Sequence, residues 1–530
     1  MVIPEFDPCS GGDPVLTSSS QSSSSSHKHK GGCCSTNKTS ESTTQSCCQG
    51  NSCACASEQI DTTTKSTQDT KPSKQATVVE DIKFRCFKCK TKRANFTTKQ
   101  DKVCRECFLV MFVHRFKSSL RSNLKIWKDD LNLICISGGS NSMALIDLMY
   151  QSLFGTVSNR KMFFRVHILY IEEGSVVYGW DEEKREKNIQ FIIDACNRYN
   201  FTYTILPLEY VYDISDEIDL RQIDGETVQK IEEEKKQDEL AHSTPTGQDE
   251  IVNKVLEVDD ILEKRQKLMT LIESLPTHSN FREDLIFYLK RWVISSFGLK
   301  YNYKKILLGT SGHKVATQLL SQLAKGRGSS IAHEISYIDD KNFGGRITFM
   351  NPMREFLHKE IALYNYLHKV DIIQQRSLAQ INNPFTNSPA FGSADYLIEK
   401  FFDRLQDKFN VNTVPTVVKL TNKLLKTDFK DESNPYPFCP LCFGIRDKIN
   451  NLLEMGSTIK SIKIKEDGTN EVESIKSSSD WLSSELEQAF CFGCKRMGIM
   501  ASKKEQFVEF LPAVVKTNCH RTLSTIQSTL

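Results

Sequence analysis

Residues 131–149 (Leu-Asn-Leu-Ile-Cys-Ile-Ser-Gly-Gly-Ser-Asn-Ser-Met-Ala-Leu-Ile-Asp-Leu-Met) constrain this chain more than any other stretch. Residues 131–136 are a short, mostly apolar run of strand-forming type. Met143, Leu145, Ile146 and Met149 then recur at helical spacing. Between the two runs lie glycines and small hydroxyl side chains. A strand, a tight glycine turn and a helix start are therefore expected. Glycine lets the backbone approach a ligand with no Cβ in the way. The free N–H groups at a helix N-terminus, and its dipole, favour an anion there. Ser137, Gly138, Gly139, Ser140 and Ser142 are thus candidates for holding a phosphate or pyrophosphate. An ordinary tight βα turn accounts for the same residues.

Strand and helix patterns alternate after this turn. Arg165–Glu172 reads as a second strand, 181–199 as a helix and Phe201–Leu206 as a third strand. The pattern breaks over about 213–278, where the run Lys230-Ile-Glu-Glu-Glu-Lys-Lys-Gln-Asp-Glu marks a charged insertion, part helix and part disorder. It resumes with a helix over 281–297, a strand over Lys305–Gly309, a helix after Thr310, a strand over Arg346–Arg354 and a helix over Lys359–Lys369. This alternation predicts an α/β fold with a doubly wound parallel sheet. Ligands then sit outside the carboxyl ends of the strands, where the glycine turn lies. The loop Lys325-Gly-Arg-Gly-Ser-Ser330 is either a second phosphate or RNA contact, or a plain helix C-cap and turn. His313, His333 and His358 read as surface or capping histidines.

Of the 18 cysteines, eight form four Cys-x-x-Cys pairs. Cys86/Cys89 and Cys104/Cys107 stand fourteen residues apart and supply four thiolates for one tetrahedral zinc. Disulfides are the alternative. Cys439/Cys442 and Cys491/Cys494, separated by 48 residues, suggest a second zinc site with an exposed excursion between the pairs. The first module is basic (Lys90, Lys92, Arg93, Lys99, Lys102), which suits either RNA contact or a merely solvated face. Phe108–Trp127 reads as an amphipathic helix with Arg115, Lys117, Arg121 and Lys125 along a basic side. The chain divides into a disordered low-complexity tail (1–83), a zinc knuckle with linker helix (84–128), the α/β domain (129–430) and a C-terminal cysteine module with tail (431–530). Cysteines and histidines in the first of these match no common ligand spacing.

The formal net charge is +3, so any nucleic-acid surface must be a local patch. No apolar run of membrane-spanning length and no signal-peptide pattern occur, and an intracellular protein without membrane partners is expected.

The turn resembles the pyrophosphate loop of the PP-loop ATPases, Ser-Gly-Gly-x-Asp-Ser. Ser137, Gly138, Gly139 and Ser142 match, while Asn141 stands at the position of the family's acid. A zinc module, this turn, Leu308-Gly-Thr-Ser-Gly-His-Lys-Val-Ala, Asn351-Pro-Met-Arg-Glu and a terminal pair of Cys-x-x-Cys motifs follow in one order. Over about residues 84–500 this combination resembles the cytoplasmic tRNA 2-thiolation protein 2 family. The resemblance implies a PP-loop/adenine nucleotide alpha hydrolase-like fold and a cytoplasmic role. It implies 2-thiolation of the wobble uridine in tRNAs for Lys, Gln and Glu. It also implies a heterodimer with tRNA 2-thiolation protein 1, and sulfur from a thiocarboxylated ubiquitin-related modifier.

Adenylating the uridine C2 oxygen calls for ATP, Mg²⁺ held by carboxylates, and a sulfur-delivering thiolate. The chain is short of both kinds of residue. Asn141 replaces the loop acid, and His313-Lys314 stand where active relatives carry acids. Cys135 and Cys196 read as core residues. A non-catalytic subunit is therefore the leading expectation. An active ATP-dependent sulfurtransferase subunit, and a zinc-ribbon RNA-binding protein outside thiolation, are the alternatives.

Overall fold

In a parallel sheet covered on both faces, alternate residues of each strand must feed two separate cores. The central strands do so. Leu133, Leu169 and Ile306 point into one cluster, and their neighbours Ile134, Ile168 and Leu307 into the other, all of them fully buried. The computed structural model describes residues 85–98, 101–155, 161–220, 253–276, 280–341, 345–374, 393–409, 413–424, 436–444, 446, 461–464, 470–473 and 489–529.

The sheet has seven strands: β3 (Leu131–Ile136), β4 (Arg165–Glu172), β5 (Thr202–Pro207), β6 (Lys254–Val255), β7 (Lys305–Leu308), β8 (Ile338–Asp339) and β9 (Thr348–Met350). Their order is β6-β5-β4-β3-β7-β9-β8, and all pairs are parallel except β8 with β9. A separate hairpin, β1 (Phe96–Thr98) and β2 (Asp101–Val103), precedes it. The chain runs outward from β3 through β4, β5 and β6, then returns to β3's other side with β7. The carboxyl ends of β3 and β7 therefore flank the point where the winding reverses. This is the doubly wound α/β sheet expected from the sequence.

On one face lie α1 (Arg105–Ser118), α2 (Ser140–Leu153) and, after the short α3 (Gly174–Tyr178), whose Val176 and Val177 pack into the opposite core, α4 (Glu182–Tyr199), with α9 (His358–His368) later. Phe112, Phe116, Met143, Ile192 and Tyr364 fill that core. On the other face lie α5 (Ile261–Glu273) and α6 (Phe281–Lys300). Trp292, at 0% exposure, anchors this core and joins it to the C-terminal module. A third cluster joins α7 (Gly312–Ala324), α8 (Gly328–Glu334), α10 (Ala394–Phe409) and α11 (Thr413–Thr421) around Leu319 and Phe402. The C-terminal module adds the hairpin β10–β11 (Ser461–Ile464 with Asn470–Glu473), α12 (Phe492–Ile499), α13 (Lys504–Glu509) and α14 (Ala513–Thr529).

Two expectations change. The amphipathic helix ends at Ser118 and continues as a wide turn over Ser119–Asn123, not to Trp127. Its basic side is not one solvated stripe: Lys117 is buried, and Arg115 pairs with Glu360 on α9 at 2.6 Å. Over 213–278, residues 254–255 extend the sheet edge, and α5 buries Leu268 and Leu271 in the core. The run at 230–239 and the tail to residue 83 lie outside the described residues.

Candidate functional site

The glycine turn sits where β3 gives way to α2. Gly138 has φ +75°, a left-handed conformation that glycine adopts without penalty. Gly139 is the extended N-cap of α2. Ser142 braces the turn: its Oγ accepts from the Ser137 N–H at 3.3 Å and donates to Gly139 O at 3.0 Å. Asn365 on α9 donates to Ser140 O at 2.9 Å and to Ser140 Oγ at 3.1 Å. The turn after β7 comes close, since a Cβ on Gly309 would lie 3.1 Å from the Ser142 backbone. Asn141 Nδ2 bridges the two turns, donating to Ser311 Oγ at 3.2 Å. Ser137, Gly138, Gly139, Ser140 and Ser142 thus form one turn at the winding reversal, and the first N–H groups of α2 have no intrahelical acceptor. A small anion fits this chemistry.

A strap crosses the same turn. The Ile373 N–H donates to Gly138 O at 2.9 Å, and a Cβ on Gly138 would stand 2.4 Å from Ile373 Cδ1. The glycine at 138 is therefore required by backbone angle and by packing, whether or not a phosphate binds.

The carboxylates at the strand ends were not evident in the sequence, and they are already paired. Glu172 closes β4, and its Oε2 accepts from Arg185 Nη2 at 2.8 Å while its Oε1 accepts from the Gly174 N–H at 2.6 Å. Glu173 pairs with Lys290 at 2.9 Å. Asp147, buried on α2, accepts from the Tyr364 hydroxyl and faces His368 Nδ1 at 3.2 Å. His313 is buried against Phe402, with Asp403 at 3.8 Å, so it belongs to the α7–α10 contact, whereas Lys314 is exposed. Burial pushes the Cys135 thiol upward and the Cys196 thiol up to about 12, which leaves both as inert core groups.

The cysteines form two groups. Cys86, Cys89, Cys104 and Cys107 bring their sulfurs within 4.8 Å of one another, and so do Cys439, Cys442, Cys491 and Cys494. A tetrahedron of Zn–S bonds has sulfurs about 3.8 Å apart. Cys89 and Cys104 are 3.9 Å apart, and Cys442 and Cys491 are 3.5 Å apart. Both groups accept a single tetrahedral ion. None of these cysteines is in a disulfide. In the first group the Thr91 hydroxyl and nearby N–H groups lower Cys89 to about 6, whereas burial and the neighbouring thiols push Cys107 up to about 12. Four neutral thiols and four bare thiolates are both poor states for such a cage, and a dication resolves the conflict.

The second group is fully built into the fold. Trp292 Nε1 donates to Pro440 O at 3.1 Å, and its ring lies 4.8 Å from that of Phe443. Here the structure decides the reading of the 325–330 loop. Lys325 is buried between Asp284 (2.8 Å) and Asp395 (3.1 Å). Arg327 is 5% exposed, with Nη2 3.7 Å from Cys494 Sγ. Its Nη1 faces Asp284 Oδ2 at 3.8 Å and its Nε has no hydrogen-bond acceptor, so the guanidinium stands between an acid and the sulfur group. A Cβ on Gly493 would strike Arg327 Nε at 2.1 Å. Lys325 is the C-cap of α7 and Gly326 turns the chain with φ +78°, so the loop is the helix C-cap and turn, with the Lys325 and Arg327 side chains directed inward.

A doubly wound sheet with a Ser-Gly-Gly turn at its winding reversal and a four-cysteine group on each flank defines a parallel α/β protein with a candidate anion-binding turn. The family model for cytoplasmic tRNA 2-thiolation protein 2 matches residues 393–496. Cytoplasmic tRNA 2-thiolation protein 2 of Danio rerio is 27% identical over 388 residues, covering 70% of this chain and 74% of that protein. Its Homo sapiens counterpart is 25% identical over 382 residues, covering 68% and 72%. Among solved structures, the U34-tRNA thiolase NcsA from Methanococcus maripaludis with its [4Fe-4S] cluster is 12% identical with a TM-score of 0.40, covering 66% of this chain and 91% of that one. In sequence the chain is thus similar to proteins named cytoplasmic tRNA 2-thiolation protein 2.

Proposed function

We propose that the chain is the non-catalytic subunit of a cytoplasmic complex that 2-thiolates the wobble uridine of tRNAs for Lys, Gln and Glu. It pairs with tRNA 2-thiolation protein 1, and the complex takes sulfur from a thiocarboxylated ubiquitin-related modifier. The relation to proteins of that name supports the pathway. The observation that carries the non-catalytic role is Asn141. It occupies the acid position of the turn with a neutral amide, whose Nδ2 donates to Ser311 Oγ.

ATP, when bound in such a turn, supplies the adenylyl group that activates the uridine oxygen, and Mg²⁺ offsets its charge. The N–H groups at the start of α2 suit a phosphate. The metal is less well served, because Glu172, Glu173 and Asp147 are tied to Arg185, Lys290, Tyr364 and His368. Cys135 and Cys196 offer no thiolate at neutral pH. The eight paired cysteines are best used as ligands of two structural zinc ions, one holding the N-terminal knuckle and one the C-terminal module. The chain then contributes a folded platform and tRNA-holding surface to an active partner.

ATP–pyrophosphate exchange tests this directly. With substrate tRNA present as the adenylyl acceptor, the isolated chain is expected to show none, and the complex with tRNA 2-thiolation protein 1 is expected to show exchange. Exchange by the isolated chain would mean that it is itself an active subunit.

A further inference from the structure

The end of the sheet opposite the glycine turn carries a second surface, where β3, β4 and β7 begin. The segments leading into these strands are tied together. Arg121 donates to Lys161 O at 3.5 Å, and Lys305 donates to Lys125 O at 3.3 Å. The Asp129 N–H donates to Phe163 O at 3.1 Å, and the Arg165 N–H to Asp130 O at 2.8 Å. With Lys128 and Lys304, this face gathers seven cations against Asp129 and Asp130. Cations outnumber acids on this face, in a chain whose whole net charge is only +3.

Two aromatic rings stand among the cations. Trp127 is 63% exposed and Phe163 64%. They lie on the adjacent turns joined by the Asp129–Phe163 bond. Neither ring stacks on another ring among the described residues. An apolar protein partner would call for a wider apolar patch than two rings surrounded by ammonium and guanidinium groups. Cations that follow a phosphate backbone, beside open ring faces on which bases stack, are the recurring design for unpaired nucleic acid.

We propose that this face binds a single-stranded stretch of RNA. Arg121, Lys128 and Lys161 hold phosphates, and Trp127 and Phe163 stack bases. The inference rests on the reading that the chain handles tRNA, whose loops and 3′ end supply unpaired bases. It adds a contact surface at the sheet end away from the glycine turn.

The test uses the full chain, a fluorescein-labelled oligouridylate of about 12 nucleotides, and unlabelled total tRNA as competitor. Anisotropy titrations are run at several salt concentrations. Trp127→Ala and Phe163→Ala are each expected to weaken binding by about fivefold or more, with unchanged melting temperature because both rings are exposed. Trp127→Phe should retain most of the affinity. The triple variant Arg121→Gln/Lys128→Gln/Lys161→Gln should flatten the slope of log K against log salt by about 2. If wild type binds RNA and all these variants bind equally well, the proposed surface is wrong while the tRNA reading stands. If wild type binds no RNA under low salt, both fail. If the variants keep RNA affinity but lose a co-purifying protein, the face is a protein interface and the proposal is overturned.

Discussion

Gly138 and Gly139 are neighbours with different obligations. At 138 the left-handed φ of +75° and the Ile373 side chain both exclude a Cβ. Gly138→Ala should cost at least about 1–2 kcal/mol from the backbone alone, with more from the clash. At 139 the nearest atom to an added Cβ is Ser137 Oγ at 3.6 Å, so Gly139→Ala should cost less than about 1 kcal/mol. Thermal melting of both variants checks this; equal losses would contradict the account. Gly139→Ala is therefore the better probe of phosphate binding, since it keeps the fold. Glu283 makes a separate prediction. Burial, and the nearby Asp395, raise its pKa to about 7. Its unfolded value is near 4.5, so the unfolded state gives up its proton first as pH rises. Stability is lost between those two values, and the penalty is full above pH 7. Glu283→Gln keeps an acceptor for the Ser393 hydroxyl and should raise the melting temperature at pH 8, by up to roughly 3 kcal/mol of stability, with little effect at pH 4. A lower melting temperature at pH 8 would contradict it. Ser137, Gly138 and Ser142 could be read from the sequence because they are neighbours in it. Asp147 with Tyr364, or Glu172 with Arg185, could not, because each pair depends on where the fold carries a distant or opposed side chain.

At the level of elements, period and length were informative where both sheet faces are buried. The runs at 131–136 and 165–172 became β3 and β4 with those bounds, because continuous apolar runs of that length fit a covered parallel strand. Charge was a poor guide. Arg115 and Lys117 read as part of a basic helix side, and Lys325 and Arg327 as part of a phosphate or RNA contact or a plain turn, yet the fold turns each toward the interior or an acid. Gly326 and Gly493 likewise serve the packing of Phe492 and Arg327. Two predictions belong to the cysteine groups. Cys86→Ser and Cys439→Ser should each release one of two metal ions per chain, counted by elemental analysis. Retention of both ions would refute the assignment. Arg327→Gln should speed metal transfer to a chromogenic chelator from the C-terminal group only, because Arg327 lies 3.7 Å from Cys494. Unchanged transfer would show that the guanidinium only fills space.

Taken whole, the molecule couples its parts through shared cores. Cys86 and Cys104 belong to the core on the α2 side of the sheet. Cys439, Cys442, Cys491 and Cys494 belong to the opposite one, beside Trp292. Metal removal should therefore lower the stability of the α/β domain itself, with a lower melting temperature after chelation that zinc restores. A melting curve indifferent to chelator would contradict this. The cysteine spacing showed that two cages were possible. It could not show that they flank one sheet, because that follows from the winding order. The central claim is a role in tRNA thiolation, and wobble 2-thiouridine in tRNA tests it most directly. Cells lacking this chain are rescued with wild type or with Gly139→Ala, and the modified nucleoside is quantified by mass spectrometry. The account predicts loss of 2-thiouridine in tRNAs for Lys, Gln and Glu, restored by both versions. Unchanged 2-thiouridine in the deletion would contradict it.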